Sequence, residues 1–500
     1  MTERSATLAH GLGLFDATMI VIGSMIGSGI FLVSAQSARL VGSPGWLLAA
    51  WALAGLLTIT GALCCAELAA MLPKAGGQYV FLREAYGPAT GFLFGWSLFL
   101  VIQTGTIAAV AVAFANFLGA LFPSVSAFGY LVHPIEVGRY AVSLSTQQVV
   151  AVLVILLLTL TNTSGLQTCR LLQNAFTIAK TGALISIIVL GILLGWNRDA
   201  AAFTSSWWHP PANGWDPGIV QPGLALTGSL AILVLLGRAM VGPLFSQSAW
   251  NNVTFIAGEV REPGRTLPHA LLIGCATVVV LYLLANLAYV VTLPLTDIQN
   301  ASQNRVATAT MEAIVGPSGA AAMAVAILIS TFGCNNGLIL AGARVYYAMA
   351  RDGLFFSRVG SLNGRRVPAV ALAAQGLWAS LLTLLRTVRV NPATGQRVYG
   401  NVYIQLLEYI VPADLVLYGL MVAAVIVLRR KSPDAERPYR TWGYPIVPFL
   451  YLLLASLLVA VLIWLAPETS GVGFLIVLSG IPVYLAWRAW SPDASVKRAE

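Results

Sequence analysis

The chain has 500 residues, of which 58% are hydrophobic and 9% charged, where an ordinary soluble domain carries roughly 25% charged residues. So little charge excludes a soluble globular protein, and 47 glycines agree with transmembrane helices, in which glycine is common. The net charge is +9, but the basic residues sit in short loops between apolar runs, so they read as topology signals and not as a nucleic-acid surface.

A helix needs about 20 apolar residues to cross a bilayer. After a tail over residues 1–14, twelve segments meet that length: 15–36, 46–71, 88–122, 144–162, 168–195, 223–258, 267–293, 316–350, 366–388, 403–429, 443–467 and 470–488. The expected fold class is all-α and polytopic, with 12 transmembrane helices forming one transporter domain over 15–488 and a tail over 489–500. The first apolar run opens near Leu14, carries Asp16 and passes into a glycine-rich stretch. It therefore reads as a retained helix and not as a cleavable signal peptide.

In the first segment, Gly23, Ser24, Gly27, Ser28 and Gly29 fall mid-span. Each interior glycine costs roughly 0.8–1 kcal/mol of helix stability relative to alanine. Such a cluster invites unwinding, and irregular backbone at membrane depth survives only where it is buried in protein or lines a cavity. The N–H groups freed at a half-helix start hold anions such as a carboxylate. Close helix packing through small residues is the alternative. In the second segment Glu67 lies near the end that shares a side with the N-terminus.

The fifth segment carries Lys180 about twelve residues from its nearer end, a depth of roughly 18 Å, too deep for easy snorkelling. It is expected to face a polar interior, either holding broken-helix carbonyls or titrating. The loop over 197–222 holds Trp207, Trp208 and Trp215 among several prolines. Interface anchoring is one reading of it and a lid over an outer vestibule is the other.

The sixth segment is interrupted over Gly242-Pro243-Leu244-Phe245-Ser246-Gln247-Ser248-Ala249-Trp250-Asn251-Asn252. Proline removes a helical hydrogen bond, and the polar cluster after it is unusual at mid-membrane. Paired interruptions in matching helices are the best sequence pointer to a transporter's central site. Arg238, before the interruption, is expected near the outer boundary. Glu259 closes the segment and, like Glu67, is a candidate for an inner-side ion pair that opens and closes a gate.

Orientation follows from the basic residues. Lys74, Arg83, Arg344, Arg351, Arg358, Arg429, Arg430, Lys431, Arg437 and Arg440 share the side of Arg4 and of the C-terminal Lys497 and Arg498. Fewer lie opposite: Arg39, Arg139, Arg198, Arg305, Arg386, Arg389 and Arg397. Both termini are therefore expected in the cytoplasm and the protein in the cell's inner (plasma) membrane, with an even number of spans. The cysteines Cys64, Cys65, Cys169, Cys275 and Cys334 lie in or beside apolar runs without metal-ligand spacing. No disulfide framework, metal or cofactor is expected. The spans present no nucleophile–base set, so an enzyme is not expected either.

These features together resemble the amino acid–polyamine–organocation superfamily, and within it the L-type amino acid transporters and their bacterial permease relatives. The likeness runs along nearly the whole chain. It rests on Gly23 to Phe31, Ala66-Glu67-Leu68, Pro73 to Tyr79, Arg83 to Gly87, Phe245 to Asn251 with Glu259, and Ser330 to Gly333 with Arg344. The resemblance implies a 5+5 inverted repeat with helices 1 and 6 discontinuous, two peripheral helices, and alternating access around a central site. It implies that Gly27, Ser28 and Gly29, flanked by Ile26 and Ile30, hold an α-carboxylate. Carbonyls of Ile22 or Gly23 and of Phe245 or Ser246 would hold the α-ammonium. It makes Phe245 an outer gate over the substrate and places Lys180 where sodium-coupled relatives hold sodium. That points to a sodium-independent exchanger or a proton-linked carrier. Trp250 and Asn251 join Phe245, Lys180, Glu67 and Glu259 as gating or coupling candidates.

Relatives usually carry an aromatic residue and two glycines where this chain has Gln247-Ser248-Ala249. A smaller or more polar pocket is the consequence, favouring small or polar neutral amino acids over large aromatic ones. An amine, polyamine or cationic amino acid carrier, a receptor and a channel are the competing readings. In the family's animal heteromers a cysteine between spans three and four joins an ancillary subunit. This chain has none between Leu121 and Val149, so no disulfide-linked partner is expected.

Overall fold

A computed structural model of the protein describes residues 11–163, 166–365, 367–390 and 396–490, with the backbone alone at 166–173, 389, 390 and 490. The tail residues through His10 and from Ser491, Arg366, and the side chains of Cys169 and Arg389 lie outside the described residues.

The chain opens with α1 (Leu14–Met25) and α2 (Gly29–Val41), followed by the long α3 (Pro44–Met71) and the short α4 (Gln78–Tyr86). Next come α5 (Pro88–Ser97) and α6 (Gln103–Leu121), which a π-helical turn at Leu98–Ile102 joins into one rod. Two helices, α7 (Thr146–Asn162) and α8 (Leu166–Leu193), lead to the short α9 (Ala201–Thr204) and α10 (Pro217–Val220). The second interruption involves α11 (Gly228–Ala239), α12 (Val241–Ser246) and the single turn α13 (Asn252–Phe255). The remainder comprises α14 (Pro263–Thr292), α15 (Leu295–Gln299), α16 (Val306–Val315), α17 (Pro317–Arg351), α18 (Ala369–Leu382), α19 (Val402–Lys431), α20 (Ile446–Leu465) and α21 (Ser470–Trp490).

Among the described residues nine helices are long and apolar enough to cross a membrane, or ten if the bent pair α1–α2 counts as one span. This corrects the expected architecture: the protein is a multi-pass helical membrane protein, but its helices do not divide into twelve spans or into a 5+5 inverted repeat. The reason is length. The expected span 144–162 is α7, which has 17 residues and at 1.5 Å per residue reaches about 26 Å. The expected span 366–388 is α18, with 14 residues, or about 21 Å, against a hydrocarbon core of about 30 Å. The chain then turns into strand where a helix was expected. The sixth segment stops being helical at Ser246, and α1–α2 is the single pair bent by more than 40° at a short break among the described residues. The even count of twelve therefore lends the orientation argument no support.

A four-stranded antiparallel sheet was not foreseen. Its strands are β1 (Tyr130–Val137), β2 (Tyr140–Ser145), β3 (Leu385–Val390) and β4 (Arg397–Tyr399), in the order β1-β2-β3-β4. Gly138 has φ +65° in the two-residue turn between β1 and β2, a left-handed conformation that hairpin turns require and glycine adopts without strain. Ala141 faces Arg386 across the β2–β3 pair, which joins two loops far apart in sequence. Arg397 and the Tyr399 hydroxyl both donate to Glu136, and these bonds hold its carboxyl below the usual carboxylate range. Ser145 then starts α7 with a capping box: its Oγ accepts the Gln148 N–H at 3.3 Å and Gln148 Oε1 accepts the Ser145 N–H at 2.7 Å.

The core that positions the breaks is built from α14, which packs along α3, α1 and α8, and α17, which packs on α6 and α8. The face of α14 that does this carries small or aromatic residues, including Gly274 against Val21 and Tyr282 against Trp51 with ring centroids 5.4 Å apart. The tryptophan-rich loop folds over the ends of α2 and α3. Trp215 is buried, and its indole N–H donates to the Leu40 carbonyl at 3.2 Å. Its ring fills the space beside Gly42, which has φ +63° at the end of α2 and no room for a side chain. Trp208 stays exposed and packs edge-on against Trp46.

Candidate functional site

Ile26, Gly27 and Ser28 are non-helical between α1 and α2, and the two halves meet at 41°. A helix end inside a protein leaves carbonyls of the first half and N–H groups of the second without intrahelical partners. Four carbonyls in or beside this break meet side chains. Lys180 Nζ donates to the Gly23 carbonyl, and the Tyr282 hydroxyl donates to Met25 at 2.8 Å. Cys334 Sγ lies 3.5 Å from the Ser24 carbonyl, and the Tyr289 hydroxyl donates to Ile30 at 3.2 Å. The Ser28 hydroxyl pairs with the Tyr403 hydroxyl at 3.1 Å. The Ile22 carbonyl accepts the Ile26 N–H at 2.9 Å.

Two glycines of the break are set by packing. A side chain on Gly29 would run into Ser246, with the Ser246 Cα only 2.9 Å from the added carbon. A side chain on Gly27 would meet Cys334 Sγ at 3.0 Å. The first and second breaks thus touch directly, and this contact places Ile22 to Ile30 and Phe245 to Ala249 in one region. The Phe245 ring sits edge-on to Tyr403 with centroids 6.1 Å apart, so it shares an aromatic partner with Ser28. The Ser246 hydroxyl turns back onto the Gly242 carbonyl at 2.8 Å.

The second break runs from Gln247 to Asn251. Ala249 adopts φ +64° there, a region that costs a residue with a Cβ about 1–2 kcal/mol and that marks strain held by its surroundings. Those surroundings are explicit. Gln247 Nε2 donates to the Trp51 carbonyl at 3.2 Å, so its amide points to α3, and Ser248 Oγ donates to Phe245 at 2.7 Å. Trp250 stacks on Tyr418 with centroids 5.0 Å apart. Asn251 Nδ2 donates to Gln78 Oε1 at 2.8 Å, and its Oδ1 accepts from the Tyr418 hydroxyl at 3.0 Å. A cavity of about 30 Å³ lies between Thr58, Ser248, Trp250, Asp414 and Tyr451.

Lys180 is wholly buried. A neutral side chain of similar length there leaves the Gly23 carbonyl without its strongest donor, a loss of about 1–3 kcal/mol for a buried polar group. Lys180→Met is therefore expected to lower substrate flux by roughly 5–150-fold, at 1.4 kcal/mol per tenfold. Flux in liposomes, normalised to reconstituted protein, checks this; activity within about twofold of the parent would show the bond to be dispensable.

Glu67 and Glu259 do not lie at the breaks. Glu259 pairs with Arg344 Nε at 2.9 Å, with both side chains buried, and its carbonyl accepts the N–H groups of Gly11 and Leu12. Glu67 accepts Arg429 at 2.7 and 2.8 Å and the Thr441 N–H at 2.7 Å. Arg238 forms an ion pair with Glu408 at 3.3 Å and also bonds Gln221 at the end of α11. Tyr282, Cys334, Tyr403, Asp414 and Tyr418 were not singled out from sequence. Tyrosine and cysteine in apolar runs carry no distinguishing signal. Asp414 did carry one, because an ionisable residue within a span is costly and marks function by default.

The description "Amino acid permease" fits a family model that matches residues 12–487, and the chain belongs to that family. It is thus a membrane transport protein and not an enzyme. The chain is 31% identical over 485 residues to the mouse (Mus musculus) large neutral amino acids transporter small subunit 2, covering 97% of this chain and 82% of that protein. It is 29% identical over 499 residues to the mouse Asc-type amino acid transporter 1, covering 98% and 83%. It is also 26% identical over 495 residues to the human (Homo sapiens) cystine/glutamate transporter, covering 98% and 86%.

Proposed function

We propose that this amino acid permease is a sodium-independent exchanger of small or polar neutral L-amino acids that works by alternating access across the plasma membrane, with both termini cytoplasmic. The observation that carries this reading is the direct contact between the Gly27–Ser28 break and the Phe245–Ala249 segment at Gly29 and Ser246. The named relatives handle large neutral amino acids, or cystine and glutamate. What such substrates share is an α-carboxylate and an α-ammonium, so the common site should read the backbone end of the molecule.

The α2 N-terminus suits the carboxylate. Gly27, Ser28, Gly29 and Ile30 bring N–H groups to a helix start, where the aligned peptide dipoles favour an anion. The α-ammonium needs acceptors without a fixed charge. Carbonyls of Ile22, Gly23 and Ser246 are candidates, since a carbonyl oxygen has two lone pairs and keeps one after accepting a single bond; that of Phe245 accepts both the N–H and the hydroxyl of Ser248 and would have to give one of them up. Lys180 then supplies a fixed positive charge beside the break, which is the electrostatic argument against a sodium ion there. Phe245 would cover the occupied site, and Gln247, Ser248 and Ala249 would border the side chain. The buried pairs of Glu259 and Glu67 are candidate latches at one end of the bundle.

Counterflow in liposomes across the twenty amino acids and common amines, with sodium and with choline in its place, tests the reading. The expected result is trans-stimulated uptake of serine, alanine or similar substrates that is indifferent to sodium. Absence of counterflow for every amino acid would overturn it, and a preference for putrescine or agmatine would replace it by an amine carrier.

A further inference from the structure

Asp414 sits mid-way along α19, roughly 18 Å from Val402 and about 26 Å from Lys431. It is buried and lies two residues beyond Pro412, whose ring removes one helical hydrogen bond beside it. It lines both the cavity of about 30 Å³ next to Ser248 and a second of about 10 Å³ next to Ala249 and Asn251. Among the described residues no Lys or Arg forms an ion pair with it. An ionised carboxylate held in a membrane interior without a cation is expensive.

Hydrogen-bond direction decides what Asp414 carries. The Leu417 carbonyl can only accept, so Gln78 must present Nε2 to it, at 3.1 Å. That leaves Gln78 Oε1 facing Asn251, which must present Nδ2. Asn251 Oδ1 then faces the Tyr418 hydroxyl, whose one proton is committed to it. Asp414 stands one turn before Tyr418 on α19, and the two line the same pair of cavities. With the phenolic proton committed to Asn251, that hydroxyl offers Asp414 no donor, and a buried carboxyl with neither a cation nor a donor is held in its neutral, protonated form.

We infer that Asp414 is a proton-carrying site of this chain, protonated in the present conformation, which links movement of the substrate to movement of a proton. The inference rests on the transport reading above and adds the coupling ion to it. Loss of the proton breaks one O–H bond and leaves a carboxylate; the proton passes to water at the adjoining cavity. The Tyr418 hydroxyl then turns from Asn251 to the carboxylate, the better acceptor. Asn251 loses its tie to α19, and the strained Gln247–Asn251 break is released from one of the bonds that hold it. Reprotonation from the other side restores the chain of bonds. The other titratable groups lining the two cavities are Tyr418 on α19 and Tyr451 on α20, with Cys65 and Cys64 of α3 close to them. The remaining polar side chains of the lining, Thr58, Gln103, Thr106, Gln247, Ser248, Asn251 and Asn252, do not titrate. At their ordinary values the tyrosines and thiols are neutral near pH 7, so Asp414 is the group there suited to exchange a proton.

The test uses the full chain in liposomes with radiolabelled serine, alanine and leucine, with and without an inward proton gradient of one pH unit. In liposomes preloaded with unlabelled substrate, one proton carried in with each entering molecule and none out with each leaving one would drive accumulation up to about tenfold over the ungraded control. Asp414→Asn keeps a neutral side chain of the same size that has no acid proton to lose, so it is expected to equilibrate substrate but not to concentrate it. Tyr418→Phe, which removes the hydroxyl that would turn from Asn251 to the carboxylate, is expected to lose at least half of the gradient response. Counterflow by the parent protein with no response to the gradient overturns the inference and leaves the transport reading standing. A full gradient response in Asp414→Asn or in Tyr418→Phe also overturns it. No flux of any amino acid under either condition sinks the transport reading, and this inference with it.

Discussion

Gly29→Ala should nearly abolish transport while leaving a folded, membrane-inserted protein. The added carbon would stand 2.9 Å from the Ser246 Cα and closer still to its side chain. A backbone atom cannot step aside by changing rotamer. The two breaks must separate, and forcing an extra carbon into a packed interior costs about 1–3 kcal/mol. If that cost falls on the state that binds substrate, flux drops by about 5–150-fold. Gly27→Ala makes the instructive comparison. Its added carbon meets Cys334 Sγ, a side-chain atom, at 3.0 Å. The loss should be smaller, and Cys334→Ala should restore much of it, whereas Ser246→Gly should not rescue Gly29→Ala because the obstructing Cα remains. Initial rates of counterflow in liposomes measure all four. Normal rates in Gly29→Ala would show that the contact between the breaks has no part in transport.

The second large effect is expected at Glu259. Its carboxylate and the Arg344 guanidinium are both buried, with 3% and 5% of their side-chain surfaces exposed. Removing one member strands the other as an uncompensated buried charge, a loss of about 3–5 kcal/mol, whereas replacing both with apolar groups of similar volume is often neutral. Glu259→Ala should therefore lower thermal stability in detergent sharply, and Glu259→Leu combined with Arg344→Met should recover most of it. If the pair is also a latch, the stable double variant should still show altered exchange rates. Equal melting of Glu259→Ala and the parent protein would show that the ion pair contributes little.

The first break was legible because its cost is local: glycines and serines at mid-span weaken a helix whatever surrounds them. Lys180 was legible because a lysine at that depth must find a polar partner, and the Gly23 carbonyl is the partner it has. The number of spans was not legible in the same way. Segments 144–162 and 366–388 have the composition of spans, but β2 and β3 pair across the chain beside them and shorten the helices. Such pairing between loops more than two hundred residues apart leaves no mark on either apolar run.

What the sequence determined by itself was the solvent and the weak points. Scarce charge requires a bilayer, and glycine and proline within apolar runs locate where helices fail, since both effects act through the residue's own backbone. What only the tertiary structure decided was which groups satisfy those failures. Tyr282, Tyr403 and Cys334 reach the first break from helices hundreds of positions away. Gln247 turns its amide onto the Trp51 carbonyl. The protonation assigned to Asp414 follows from a chain of hydrogen bonds through Tyr418, Asn251 and Gln78. Donor and acceptor directions are properties of neighbours in space, and they exist only once the helices have packed.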